Sequence, residues 1–339
     1  MINCLKNLCE LDGVSGNESA VAKYIIDEIS PYADYYVDPL GSVIAHKKGA
    51  LKGAKRVLFD AHMDEVGFII TSIKDDGLLT FSCIGGINTD VLLARRVKID
   101  NIFGVICVKP VHMLSADEKS KLPDKDSLVI DIGAESKEDA EKYVKVGDTA
   151  VFDSDWVEFG DNKIKARALD DRAGCAIMIN LIKSEMPFDA WFSFSVQEEV
   201  GLRGAKATAY NVNPDFAIAI ETTTACDIAD TPEHKTVCCL NKGAVVSFMD
   251  GSTIYQKSLI DAALNVAKDK NTPIQIKRGT SGGNNAGAIH LTREGIRTLA
   301  LSVPCRYLHS AECVIDKRDL ESVEVVAKGV FEQMADGKL

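Results

Sequence analysis

The hydrophobic and polar positions of this chain divide its 339 residues into three kinds of pattern. Residues 1–30 carry a helical pattern, in which Ser15 or Asn17 would cap the helix over AVAKYIIDEIS. Over residues 67–162, short strand-like runs alternate with glycine and aspartate turns, which predicts a small all-β unit. From residue 163 onwards, apolar strands alternate with helices, a rhythm typical of an α/β sheet covered by helices on both faces.

The apolar strand that starts at Val57 fits the same α/β sheet, which resumes after the β unit. We therefore expect an α/β domain made of residues 1–66 and 163–339, with the all-β unit of residues 67–162 inserted into it. Within this layout the pattern predicts helices over 137–146, 172–184, 256–270 and 319–334 and strands over 191–196 and 216–220.

Composition narrows the class of protein. Hydrophobic residues make up 46% and charged residues 26%, which is ordinary for a compact globular protein and too apolar for a disordered one. The net charge of -11 argues against nucleic acid and anionic membranes as partners. No apolar run is long enough for a membrane helix and the first residues lack a signal-peptide pattern, so we expect a cytoplasmic protein. The scattered cysteines suit buried thiols in a reducing compartment.

Side chains that bind protons or metals interrupt the sequence where apolar strands end. In an α/β sheet, ligands collect beyond the carboxyl ends of the strands, so these side chains are the candidates for a site. His62 and Asp64 follow the strand VLFDA, and His62 could bind a metal while Asp64 holds the other nitrogen of its imidazole. This stretch alone leaves a surface loop and a functional site as open interpretations.

Two acidic pairs occupy similar positions. Asp170 and Asp171 precede a helix, where Asp171 could act as the N-cap while Asp170 projects into the cleft. Glu198 and Glu199 end the apolar strand WFSFSV, where buried carboxylates are unfavourable unless they are paired or bound to metal. One of these glutamates could bind metal while its neighbour takes and returns a proton, which are the two roles that metal-assisted hydrolysis needs.

The last two candidates are an acid and a histidine near further strand ends. Glu221 follows FAIAI and His309 follows LALSVPCRYL. A single histidine in such a place is more often structural, but the whole set contains two imidazoles and three carboxylates: His62, Asp170, Glu199, Glu221 and His309. That set suits two borderline divalent ions, such as zinc or cobalt, that share one bridging carboxylate.

Five stretches of the chain resemble a known family. They are AHMDEVG, LDDRAGC, QEEVGLRGA, NAGAIHLTREG and VPCRYLHS, in the family's order and over nearly the whole chain. By these motifs the chain resembles the two-metal aminopeptidases that include glutamyl aminopeptidases and tetrahedral, dodecameric (TET) aminopeptidases, some of which were labelled cellulase M or endoglucanase. The resemblance implies a zinc exopeptidase-like α/β fold, with a mixed sheet flanked by helices and an inserted β-barrel-like dimerisation domain.

The resemblance also implies a ligand set and an assembly. His62 and Glu221 would bind one zinc or cobalt ion, Glu199 and His309 would bind the other, and Asp170 would bridge them. The implied assembly is a homo-oligomer in which dimers build a tetrahedral dodecamer.

Glu198 would be the general base for a water, activated by the two metals, that releases N-terminal residues from short peptides, and Asp64 would orient His62. Two positions depart from the family pattern, because Glu221 and Asn285 both stand where Asp is usual. These departures leave the substrate preference open and motivate a second hypothesis, a metal-binding oligomer with low or altered activity. A third hypothesis, glycoside hydrolysis, follows only from the endoglucanase label, and that chemistry uses a carboxylate pair without metals.

Overall fold

A computed structural model describes all 339 residues of the chain. The α-helices are α1 Ile2–Glu10, α2 Ser19–Ile29, α3 Lys137–Ala140, α4 Leu169–Lys183, α5 Arg203–Val212, α6 Lys257–Asp269, α7 Ala286–Ile289 and α8 Lys317–Ala335. The β-strands are β1 Asp34–Val37, β2 Val43–Lys47, β3 Val57–His62, β4 Gly67–Ile73, β5 Leu79–Ile84, β6 Arg96–Ile99, β7 Ile102–Ile106, β8 Val129–Asp131, β9 Thr149–Phe152, β10 Val157–Phe159, β11 Lys163–Ala166, β12 Ala190–Ser195, β13 Phe216–Thr224, β14 Ala244–Val246, β15 Ile274–Ile276, β16 Arg297–Cys305 and β17 Cys313–Asp316. None of the helices combines the length and the apolar composition that crossing a membrane requires.

Eight strands form one mixed sheet in the order β1-β2-β12-β3-β13-β16-β14-β15. The central strands β12, β3, β13 and β16 run parallel, whereas β2 and β14 pair antiparallel with them on either side. Helices α4 and α8 pack on one face, where Phe59 stacks on Phe192 with ring centroids 4.9 Å apart, and α5 and α7 pack on the other. The predicted mixed sheet with helices on both faces is confirmed.

The inserted all-β unit is a closed barrel. Its strands run from Gly67 to Phe152 in the order β4-β5-β8-β7-β6-β9, around an apolar core in which Phe68 makes edge contacts with Phe81 and Phe152. Strand β10 lies outside the barrel, in a three-stranded sheet with β11 and β17. The helix expected over 137–146 is limited to the four residues of α3, because the chain after it turns back to hydrogen-bond β4.

The start of α2 differs from the expected capping. The N-cap is Glu18, and the prediction of Ser15 or Asn17 was wrong. Both side chains are engaged elsewhere, since the Ser15 hydroxyl donates to Asp64 Oδ2 at 2.6 Å and Asn17 Nδ2 donates to Thr149 Oγ1 at 2.9 Å. Tertiary contacts have therefore overridden the local capping preference, and they link the segment before α2 to the end of β3.

Candidate active site

The carboxyl ends of the central parallel strands bring together side chains that are far apart in the sequence. Because β12, β3, β13 and β16 are parallel neighbours, they end at the same edge of the sheet. The predicted metal ligands converge there: His62 ends β3, Asp170 lies at the start of α4, Glu199 follows β12, Glu221 lies in β13 and His309 follows β16. The convergence expected from the strand ends is therefore observed.

Asp170 lies between the two imidazoles. Its Oδ1 is 3.5 Å from Nε2 of His62, and its Oδ2 is 3.3 Å from Nε2 of His309. A second carboxylate accompanies each imidazole, since Glu221 Oε2 is 3.7 Å from His62 Nε2 and Glu199 Oε2 is 3.4 Å from His309 Nε2. The five residues thus form two imidazole–carboxylate clusters that share one aspartate.

A backbone carbonyl orients each imidazole. His62 Nδ1 lies 3.0 Å from the carbonyl oxygen of Asp64, and His309 Nδ1 lies 2.8 Å from the carbonyl oxygen of Gly86, which belongs to the inserted barrel. Each Nδ1 therefore carries the hydrogen that is donated to the carbonyl, and Nε2 is left facing the carboxylates. The Asp64 carboxylate is 3.5 Å from His62 Nδ1, farther away than the carbonyl of the same residue.

Asp64 has a second set of contacts that the sequence did not indicate. Its Oδ1 accepts a hydrogen bond from the backbone N–H of Glu198 at 3.0 Å, and its Oδ2 accepts one from the N–H of Glu199 at 3.1 Å. Burial would raise the pKa of the Asp64 carboxyl, but the His62 imidazole, together with the hydrogen bonds from Ser15 and the Glu198 N–H, keeps it below its ordinary value. Asp64 therefore holds the backbone that carries the two strand-end glutamates.

Asp170 and Asp171 divide their roles in the expected way. Asp170 and Asp171 have non-helical backbone angles, so the regular part of α4 begins after them. Asp171 Oδ1 accepts a hydrogen bond from the backbone N–H of Gly174 at 2.9 Å, as a cap of that part does, while Asp170 faces the imidazoles. The structure also makes Asp171 a candidate ligand that sequence reasoning missed, because its Oδ2 is buried without a hydrogen-bond partner. The available signal was the presence of two consecutive acids where capping needs only one.

The close packing of charged groups displaces their pKa values. Burial raises the pKa of Glu198 to about 7, and burial together with the nearby Asp170 charge raises that of Glu199 to about 8. Burial would raise the pKa of Asp170, but hydrogen bonds to His309 and His62 hold it below its ordinary value. Burial would lower the pKa of His309, but Asp170 and Glu199 raise it to about 10. Displacements of this kind are typical of catalytic and metal centres.

The donor set fits divalent metal ions. Imidazole nitrogen and carboxylate oxygen are the ligands that zinc and cobalt favour. Two groups have ligand atoms within 4.8 Å of one another, namely His62 with Asp171 and Glu221, and His62 with Asp170 and Glu199. Asp171 Oδ2 and Glu199 Oε1 are buried without a hydrogen-bond partner, which is unfavourable unless a cation completes their surroundings.

Imidazoles and carboxylates that surround one shared aspartate at the carboxyl edge of an α/β sheet, with a further glutamate beside them, are the arrangement typical of metallohydrolases. Residues 41–325 of the chain match the M42 glutamyl aminopeptidase family. The chain belongs to this family, whose members are metal-dependent aminopeptidases. The predicted family resemblance is confirmed, and the family supports a peptidase rather than a glycoside hydrolase.

Relatives with named activities and solved structures agree with this assignment. The lysyl aminopeptidase of Pyrococcus furiosus is 33% identical over 97% of this chain and 96% of that protein. The TET aminopeptidase of a marine-sediment Thaumarchaeota archaeon is 35% identical, with a TM-score of 0.94 over 98% of this chain and 96% of that chain. The TET1 peptidase of Pyrococcus horikoshii, which can assemble into a tetrahedron or a large octahedral shell, is 37% identical, with a TM-score of 0.84 over 97% of this chain and 98% of that chain.

Proposed function

We propose that this protein releases N-terminal residues from short peptides with the help of two divalent ions, zinc or cobalt. His62 and Glu221 would hold one ion, Glu199 and His309 the other, and Asp170 both. The observation that carries the proposal is that the Asp170 carboxylate lies within 3.5 Å of both imidazoles. Bound ions would polarise the scissile carbonyl and make water more acidic.

Glu198 is the proposed general base. It directly precedes the proposed ligand Glu199 after β12. Glu199, and not Glu198, is the side chain that pairs with His309. Burial raises the pKa of Glu198 to about 7, which is near neutrality and suits a group that must both take and return a proton. Glu198 accepts a proton from the attacking water and delivers it to the amine that leaves the broken peptide bond.

The longer side chain of Glu221 is held in place by the loop that starts α7. The backbone N–H of Asn285 donates to Glu221 Oε1 at 3.2 Å, so the other oxygen is the one that faces His62. Asn285 is itself anchored, because its Nδ2 donates to Asp60 Oδ2 at 2.7 Å and to Ser195 Oγ at 2.9 Å. The two departures from the family pattern are therefore in contact, and we propose that Asn285 positions the carboxylate of Glu221 for metal binding.

Glu198→Gln tests the proposed base. The change keeps the shape of the side chain, so two metal ions per chain should remain bound while turnover of the best aminoacyl substrate falls about 100-fold or more. Glu199→Gln is the matched control, because the same change one residue later removes a ligand and should lower the metal content. Near-normal turnover by Glu198→Gln would exclude Glu198 as the base.

A panel of aminoacyl chromogenic substrates with zinc, cobalt and manganese tests the activity as a whole. Hydrolysis with at least one residue and one metal, abolished by a chelator, is the expected result. If no substrate is hydrolysed with any metal, the hypothesis of a metal-binding oligomer with low activity would replace the proposed function.

We also propose that the inserted unit of residues 67–162, whose barrel strands run from Gly67 to Phe152, mediates dimerisation on the way to a tetrahedral dodecamer. The proposal is supported by the similarity to the Pyrococcus horikoshii TET1 peptidase, which spans nearly the whole chain and therefore includes the barrel. Light scattering should give the mass of twelve chains of 36.7 kDa each. A monomer at micromolar concentration would contradict this assembly.

A further inference from the structure

Three consecutive backbone N–H groups after β12 donate to two buried carboxylates. Gln197 donates to Glu18 Oε1 at 3.2 Å, while Glu198 and Glu199 donate to the two oxygens of Asp64. Glu18 is only 6% exposed, so its bond to Gln197 is shielded from water. The backbone that carries the proposed base and a proposed metal ligand is therefore held by side chains from two distant parts of the sequence.

The segment before α2 brings Glu18 to this place and is itself attached to the end of β3. Val14 forms an isolated parallel bridge with Glu65, and the Ser15 hydroxyl donates to Asp64 Oδ2 at 2.6 Å. Glu18 and Asp64 are thereby linked through a short, anchored piece of chain. The segment therefore connects the end of β3 to the end of β12 through hydrogen bonds.

The backbone of Gln197 requires contacts that hold it in place, because its conformation is an unusual one. Its φ angle is +56°, in the left-handed region that residues other than glycine rarely adopt. Unfavourable backbone conformations persist only where the surrounding contacts hold them. The bond to Glu18 is a contact of this kind, and Gln197 directly precedes Glu198.

We infer that Glu18 is a positioning residue for the reaction, and that its carboxylate fixes the backbone of Gln197 and with it the direction of the Glu198 side chain. This inference rests on the proposed role of Glu198 as the general base. A displacement of about 1 Å at a reacting group is enough to lower the rate strongly. The loss should therefore fall on kcat rather than on KM.

Glutamine should replace Glu18 with little loss, whereas alanine should not. Oε1 of Glu18 accepts both of its bonds, one from Gln197 and one from the backbone N–H of Gly16 at 2.8 Å. The amide oxygen of glutamine can accept the same two bonds, and alanine offers no acceptor. The pair of variants therefore separates the hydrogen-bond acceptor from the negative charge.

A buried carboxylate away from the site provides the control. Asp319 is 1% exposed and accepts bonds from the backbone N–H groups of Asn241 and Gly243, both at 2.7 Å. Like Glu18, it holds a backbone segment through two N–H groups, but neither donor belongs to the site. Asp319→Ala should lower thermal stability and leave kcat within about threefold of the parent.

The first experiment measures kcat, KM and metal content of the full chain with its best substrate. Glu18→Ala should lower kcat about 10- to 100-fold, with KM and metal content unchanged, and Glu18→Gln should restore most of the lost kcat. Parent-like kcat in Glu18→Ala, or an equal loss in Asp319→Ala, would overturn the inference. If Glu18→Ala does not fold, Glu18→Asp, which is one methylene shorter, replaces it and must lower kcat at least about 10-fold.

The second experiment measures backbone hydrogen exchange in the peptide that spans residues 196–202. Exchange should be faster in Glu18→Ala and parent-like in Glu18→Gln and Asp319→Ala, because only the first variant loses the acceptor for the Gln197 N–H. Unchanged exchange in Glu18→Ala would overturn the inference. Since exchange does not depend on turnover, an inactive parent with this exchange pattern would count against the proposed function and not against the contact.

Discussion

Removing the carboxylate of Glu65 should destabilise the fold by several kcal/mol. Glu65 follows Asp64 in the sequence, but its carboxylate has a structural role rather than a role in the site. Glu65 is 3% exposed and shares its Oε1 between the guanidinium groups of Arg167 and Arg172. The same oxygen accepts the backbone N–H of Gly13 at 3.2 Å. Taking away one partner of a buried ion pair typically costs about 3 to 5 kcal/mol, because a buried charge is left uncompensated.

The remaining contacts of the two arginines place the expected value at the lower end of that range. Arg172 keeps the carbonyl oxygens of Met63 and Leu8, and Arg167 keeps the Asp12 carboxylate at 2.7 Å. We therefore expect Glu65→Ala to lower the free energy of unfolding by about 3 kcal/mol. With an unfolding entropy of about 2.1 cal/mol/K per residue, this corresponds to a fall in Tm of about 4 °C.

Scanning calorimetry in the presence of a chelator measures this fall without a contribution from bound metal. Asp261→Ala is the matched control, because it removes an acid that pairs with Lys257 on the exposed face of α6. An exposed pair of this kind contributes little, so the control should leave Tm unchanged within about 1 °C. A shift for Glu65→Ala no larger than that of Asp261→Ala would refute the ion-pair role of Glu65.

Proton release, metal-dependent stability and core packing give three further tests. The pKa values of about 10 for His309 and about 8 for Glu199 mean that both groups hold protons at pH 7. Metal ligation removes these protons, so zinc affinity should rise from pH 6 to pH 8. Titration calorimetry in two buffers should detect the proton release, and its absence would contradict the assignment of these two residues as ligands. Zinc at 100 times its Kd should raise the free energy of unfolding by about 2.7 kcal/mol, and a Tm that does not respond to zinc would argue against a resident metal. Phe59→Ala removes a fully buried ring from the stack with Phe192. Urea titration should show a free energy of unfolding that is lower by about 3 to 5 kcal/mol, and a loss below about 1 kcal/mol would show that the core relaxes around the cavity.

The predictable part of the site follows from where apolar strands end. The sequence placed His62, Glu199, Glu221 and His309 after buried strands, and the parallel arrangement of those strands is what brings them to one edge. Asp170 also faces the cleft, but α4 follows β11, a strand of the antiparallel three-stranded sheet, so the rule for parallel strands does not account for its position.

The unpredicted part depends on contacts between segments that have no pattern in common. Nothing near Glu65 in the sequence indicates that its carboxylate turns away from the site toward Arg167 and Arg172, roughly a hundred residues later. The sequence suggested Ser15 only as a helix cap and gave no indication for Glu18, and the tertiary structure shows both side chains bonded to the segments that follow β3 and β12. Local periodicity identifies elements, but it carries no information on which buried polar groups satisfy one another.

The central claim is that one aspartate joins two metal positions. Anomalous X-ray diffraction at the zinc edge, from crystals grown with zinc, tests it most directly. Two peaks are expected, one between His62 and Glu221 and one between Glu199 and His309, each at about 2.0 to 2.2 Å from an oxygen of Asp170. A single peak, or peaks out of bonding range of Asp170, would contradict the account.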